Sequence, residues 1–134
     1  MYLSAPLHKD LYKGISINVG NEQAEIALLV EPKFFHAAHA IHGSVYFKML
    51  DDAAFFAVNS IVPGVFVYTV SFNVQLLRPV TRGLIRSKGK LKFRSNNLFI
   101  ADAELWDENN TLVGRGSGNF MKSKIPLTEE IGYE

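Results

Sequence analysis

"SVYFKMLDDAAFFAVNSI", Ser44 to Ile61, decides the fold. Turning about 100° per residue, a helix over this stretch gathers Ser44, Lys48, Asp51, Asp52 and Asn59 into an arc of about 100° and leaves Phe, Met, Leu, Val and Ala on the rest of its circumference. That is too apolar for a surface helix with one wet side, so most of it must be buried. The Pro63-Gly64 pair stops it.

What buries it follows from the rest of the chain. "FVYTVSFNVQLLRP" alternates with a period of two, sending Phe66, Tyr68, Val70, Phe72, Val74 and Leu76 to one face and Val67, Thr69, Ser71, Asn73 and Gln75 to the other. "GLIRSKGKLKFRSN" puts Arg86, Lys88, Lys90, Lys92 and Arg94 opposite Ile85, Leu91 and Phe93. "LFIADAELWD" and "TLVGRGSGNFMK" follow across the turn "DENN", and tight turns between successive strands predict antiparallel pairing. Ahead of the helix, "GISINVG" and "QAEIALLVE" read as a shorter hairpin around Asn21. An antiparallel sheet has one apolar face to cover, and one long apolar helix covers it if the sheet curls. The fold class is α+β: a curved antiparallel sheet wrapped around one central helix.

The chain has 134 residues, 48% of them apolar and 20% charged, which is one globular domain rather than a disordered chain. We read a single domain over 1–134, its core at about 14–122 and a tail at 123–134. A net charge of +1 names no partner, and without a basic excess or interleaved exposed aromatics no nucleic-acid role is expected. There is no cysteine, which excludes disulfides, a thiolate nucleophile and cysteine-based metal sites. Apolar runs such as Ala53 to Val58 fall far short of the roughly 20 residues of a membrane span, so no membrane partner is expected. "MYLSAPLHKDLYKG" lacks the basic segment and apolar stretch of a signal peptide, and a cytoplasmic location is the default expectation.

"HAAHAIHGS", His36 to Ser44, holds three of the four histidines directly ahead of the helix. On a strand His39 would oppose the other two, and on a helix His36 and His42 would lie about 9 Å apart along the axis. Neither geometry converges on one ion, and no H-E-x-x-H pattern is present, so neither a metal nor a cofactor is expected. The glycines at 114, 116 and 118 sit in a strand pattern with no helix following, and suggest close packing from the helix or a partner subunit rather than a phosphate loop.

"HGSVYFKMLDDAAFFA" resembles the H-G-G...D signature of PaaI-like acyl-CoA thioesterases of the hotdog superfamily. "TVSFNVQLLRPV" and "ADAELWDENNTLVGRGSGNF" are similar in order and spacing to that family's second strand and closing hairpin, so the resemblance covers roughly Gly14 to Met121. It implies a hotdog fold, a homodimer or dimer of dimers, and hydrolysis of an acyl-CoA thioester at a site shared between two subunits. Such chemistry needs donors for the developing oxyanion and a carboxylate to activate water or attack the carbonyl. The opening N–H groups of a helix carry partial positive charge, and the family's oxyanion donor maps onto the Gly43 amide. Asp51, two turns on, matches the catalytic carboxylate, while Asp52 points about 100° away and is assigned a solvated or salt-bridged face. His42 matches the motif histidine that orders the loop.

Three residues depart from the family pattern. His36 stands where relatives carry an Asn or Gln donor, and an imidazole N–H there would bring pH dependence near neutrality. Thr69 replaces a water-positioning serine and keeps the hydroxyl. Ser44 replaces the second glycine and reads as a helix-start residue with a capping tendency. The expected catalytic set is therefore Asp51, Gly43, His36 and Thr69, with His42, Ser44 and Asn73 binding substrate. The basic face of "RSKGKLKFR" reads as a solvated strand face before it reads as a CoA phosphate site. A rival reading is a hotdog module that binds an acyl thioester, or serves assembly, without hydrolysing it.

Overall fold

A computed structural model describes residues 2–126. The elements run α1 (Pro6–Asp10), β1 (Ser16–Gly20), β2 (Gln23–Leu29), α2 (Gly43–Asn59), β3 (Val65–Leu76), β4 (Leu84–Arg94), β5 (Leu98–Trp106) and β6 (Leu112–Pro126). The strands form one curved antiparallel sheet in the order β1-β2-β4-β5-β6-β3, and α2 lies against all six of them. This is the α+β arrangement expected of one apolar helix and alternating strands.

Val45, Tyr46, Met49, Leu50, Ala53, Ala54, Phe56, Ala57 and Val58 are the buried positions of α2. They meet Ile26, Leu28, Ile85, Leu105, Val113 and Phe120 from the concave face of the sheet. Truncating a fully buried side chain such as Leu50 to alanine costs about 2–5 kcal/mol through lost transfer energy and the cavity left behind. Gly89 lets the helix come this close, because a Cβ there would fall inside the Ala53 carbonyl. Next to it on β4, the buried Ser87 hydroxyl donates to the Met49 carbonyl at 2.7 Å. After Asn59 the helix tightens, with Ile61 N–H donating to the Val58 carbonyl at 3.1 Å and Val62 N–H to that of Asn59 at 3.2 Å. It therefore closes two residues short of the expected Ile61.

Four expectations change. First, β3 does not keep one apolar face. Its register against β6 shifts between Thr69 and Ser71, a bulge at Val70. Val67 and Thr69 face the helix before the bulge, and Phe72, with its ring 5.7 Å from that of Phe47, faces it after. Tyr68 and Val70 are left outside, at 45% and 52% exposure. Second, a like shift of one residue between Leu91 and Phe93 turns Phe93 out of the β4 apolar face. Third, β6 continues through Pro126, so 123–126 is paired strand rather than tail. The rest of the proposed tail, 127–134, lies outside the described residues. Fourth, the core begins ahead of the expected residue 14: Tyr2, His8 and Tyr12 are buried.

The glycines of β6 pack within the chain. A Cβ at Gly116 or Gly118 would strike the Phe72 ring on β3, and one at Gly114 would press on the Tyr46 ring of α2 at 3.2 Å. Among the described residues no helix is long and apolar enough to cross a membrane.

Candidate active site

Asp51 sits midway along α2, half-buried, and its carboxylate faces β3. The Thr69 hydroxyl donates to Asp51 Oδ1 at 2.8 Å, a contact made possible by the bulge that keeps Thr69 on the inner face. Burial pushes the Asp51 carboxyl above its ordinary value, opposed by the Thr69 hydrogen bond; the Asp52 carboxylate adds to the rise and Lys48 works against it. Asp51 and Thr69 border a cavity of about 320 Å³ whose apolar wall includes Phe55, Phe56, Phe66 and Val67. A carboxylate with raised proton affinity beside an apolar hollow is suited to general-base or nucleophilic work.

Asp52 borders the same cavity, but its carboxylate is engaged. Lys48, one turn earlier, pairs with Asp52 Oδ2, and the Tyr2 hydroxyl donates to the same oxygen at 2.8 Å. Lys48 Nζ also donates to His8 Nε2 at 2.6 Å, while His8 Nδ1 meets the Tyr2 carbonyl. Burial and the Lys48 charge hold His8 below the usual imidazole value, so the ring is neutral and its approach to Asp52 is not an ion pair. Burial and the Asp52 charge push the Tyr2 hydroxyl upward, which keeps it a donor. Two of the five polar residues of that arc, Lys48 and Asp52, are thus covered by the segment ahead of β1 rather than by water.

The helix start is built differently from expectation. The N-cap is His42, whose Nδ1 accepts from the Ser44 N–H at 3.0 Å and lies 2.9 Å from the Ser44 hydroxyl. The capping side chain is therefore His42 and not Ser44. Gly43 is the first helical residue, and helix geometry leaves its N–H without an intrahelical acceptor. His36 opens a tight turn in which His39 takes a left-handed φ of 64°, and the Ala38 N–H donates to His36 Nδ1 at 3.0 Å. A neutral imidazole accepting at Nδ1 carries its proton on Nε2, so His36 presents an exposed donor. Among the described residues no three His, Asp or Glu side chains gather as metal ligands would.

Within one chain these groups form two clusters. Asp51 and Thr69 make one; Gly43, His42 and Ser44 make the other at the helix N-terminus, with His36 in the turn that precedes it. Eight residues of helix, about 12 Å along the axis, separate Gly43 from Asp51. Asn73 joins neither cluster: the bulge at Val70 turns it to the exposed face, opposite Thr69. Tyr2 and His8 are the members that reading the sequence missed, and their only advance sign was a run of Tyr and His ahead of the first strand, at no diagnostic spacing; Lys48 was placed in the polar arc but given no role.

The basic stretch of β4 lines a wider hollow, about 470 Å³, on the outer face of the sheet. There Lys88 lies opposite Glu104 and Lys90 opposite Asp102, with Arg115 opposite Glu104 on the other side.

The model of the thioesterase superfamily matches residues 38–114, more than half of the chain. No curated protein matches the sequence. Among solved structures, the E. coli PaaI protein from the phenylacetic acid degradation operon superposes with a TM-score of 0.85 at 20% identity, covering 96% of this chain and 91% of that one. A thioesterase from Haemophilus influenzae gives 0.81 at 19% identity over 91% of this chain and 85% of its own. A phenylacetic acid degradation-related protein from Ralstonia eutropha JMP134 gives 0.78 at 23% identity, over 87% and 89%.

Proposed function

We propose that this chain, which belongs to the thioesterase superfamily and has its hotdog fold, hydrolyses acyl-CoA thioesters at a site completed by a second copy of itself. The observation that carries the reading is the Asp51–Thr69 pair at the edge of an apolar cavity. Thr69 occupies Oδ1 of the carboxylate and leaves Oδ2 to take a proton from water or to attack the carbonyl directly. In the general-base form, Asp51 removes a proton from water as the water oxygen bonds to the thioester carbon. The tetrahedral oxyanion then collapses, the C–S bond breaks, and the proton on Asp51 goes to the departing CoA sulfur. The raised proton affinity of Asp51 favours the first transfer, from water, and works against the second, which the basicity of the departing thiolate drives.

A reacting carbonyl must lie about 3 Å from its oxyanion donors and reach its base directly or through one water, a span well short of about 12 Å. Gly43 and Asp51 of one helix are about 12 Å apart along the axis, so the oxyanion donors come from the other copy. The Gly43 amide and His36 Nε2 fill that role, with His42 holding the loop. The copies meet through β3, which among the described residues pairs only β6 and leaves its other edge open beside exposed Tyr68 and Val70. Assaying hydrolysis across short, long and aromatic acyl-CoAs, with Asp51→Asn as control, tests the reading. Turnover lost in the variant supports it; a folded wild type inert on the whole panel favours a non-hydrolytic binding module.

A further inference from the structure

The network around Lys48 holds a side chain in place at the cavity wall. Tyr2 is buried, its ring edge-on to Phe56 at 5.0 Å and 4.0 Å from the His8 ring. At its far end the hydroxyl is bound to Asp52, which Lys48 also grips, and Lys48 Nζ lies 5.1 Å from the centre of the Tyr2 ring. The backbone behind it is tied by the contact between His8 Nδ1 and the Tyr2 carbonyl. Tyr12, stacked on Phe34 at 5.3 Å, anchors the far end of the same segment. Swinging the Tyr2 ring aside would break bonds to groups that are themselves withdrawn from water. The ring is therefore a fixed wall of the cavity that Asp51 and Thr69 border.

We propose that Tyr2 is a specificity-determining residue: its ring, latched to the Asp52–Lys48 pair, closes the end of the acyl cavity and limits the length of acyl chain the site accepts. This rests on the thioesterase reading. With the carbonyl at Asp51, an acyl tail enters the hollow that offers it apolar surface, lined by Phe55, Phe56 and Phe66, and meets Tyr2 beside Phe56. Chains that fit short of the ring gain burial with each methylene, about fourfold in binding apiece, and longer ones forfeit it.

The test compares straight-chain acyl-CoAs of increasing length with wild type, Tyr2→Ala and Tyr2→Phe, reading the ratio of kcat/KM for long over short chains. Tyr2→Ala is expected to raise that ratio about tenfold or more, while Tyr2→Phe, which keeps the ring, stays within about twofold of wild type. An unmoved ratio in Tyr2→Ala overturns the assignment. If Tyr2→Ala melts early, Tyr2→Leu keeps contact with Phe56 and reads the same shift. Calorimetric titration with non-hydrolysable thioether analogues of the same lengths separates the two claims. Affinities that shift with Tyr2→Ala in a protein with no turnover retain the wall and reject hydrolysis. Turnover with an unmoved length profile rejects the wall alone, and no binding at any length rejects both.

Discussion

The Thr69 hydroxyl reaches Asp51 Oδ1 at 2.8 Å because β3 carries one extra residue at Val70. In an unbroken strand, a Phe72 facing the helix would force Thr69 outward. The bulge lets both face in, and so gives the carboxylate its partner.

Removing that partner has a signed consequence. The Thr69 hydrogen bond lowers the Asp51 pKa, so Thr69→Val moves the acid limb of the kcat/KM profile to higher pH. It also lowers kcat by about tenfold or more. Thr69→Ser, which restores the donor, returns both toward wild type. A pH–rate profile of the three proteins checks this.

Asp51 is held ionised at a cost. Its folded pKa is raised by burial, so between its unfolded value and the folded one the native state binds more protons, and stability is lost as pH rises through the folded pKa. Asp51→Asn removes the charge and keeps an oxygen for Thr69. The variant is expected to be inactive yet to melt above wild type at pH 7, with the gap closing below about pH 4. Thermal melts across pH read the sign.

Gly43 allows the amide donor to be deleted with little cost to the helix. It is the first helical residue, where proline is tolerated, and His42 ahead of it sits at φ −65°, ψ 148°, as a residue before proline requires. The nearest atom to a Cβ there is the flexible Leu76 Cδ1 at 3.2 Å. Gly43→Pro is expected to keep the wild-type melting temperature to within a few degrees and to lose about 100- to 1000-fold in kcat.

The latch on Tyr2 has a pH signature of its own. Burial and Lys48 depress the folded pKa of His8, so stability is intact above about pH 6.5 and falls as pH drops from there, because the unfolded chain takes up the proton first. His8→Gln flattens that part of the stability curve. In an NMR titration, Lys48→Met raises the His8 midpoint, and an unmoved midpoint contradicts the contact.

The central helix was legible because eighteen residues with so narrow a polar arc have only one place to go. The sheet was legible as alternation, but its faces were not: the bulge at Val70 has no glycine or proline to mark it, and a shift of one residue reverses every side chain beyond it. Thr69 and Asn73 were expected on one face for that reason, and lie on two. Asp52 read as solvated or salt-bridged, and Lys48 is its partner, but the cover over the pair, Tyr2 and His8, was not legible because it comes from 40 to 50 residues earlier in the chain. Periodicity reports which side of an element is polar; it does not report what lies against that side.

The central claim is a site shared between copies, and mixing two crippled variants measures it. Asp51→Asn lacks the base, and Gly43→Pro lacks the amide donor. Random exchange makes about half of all dimers mixed, and under the shared arrangement each mixed dimer has one complete site among its two. Co-refolded or co-expressed variants should recover about a quarter of wild-type turnover, although each alone shows about 1% or less. Mixed dimers that form and remain inactive would contradict the account.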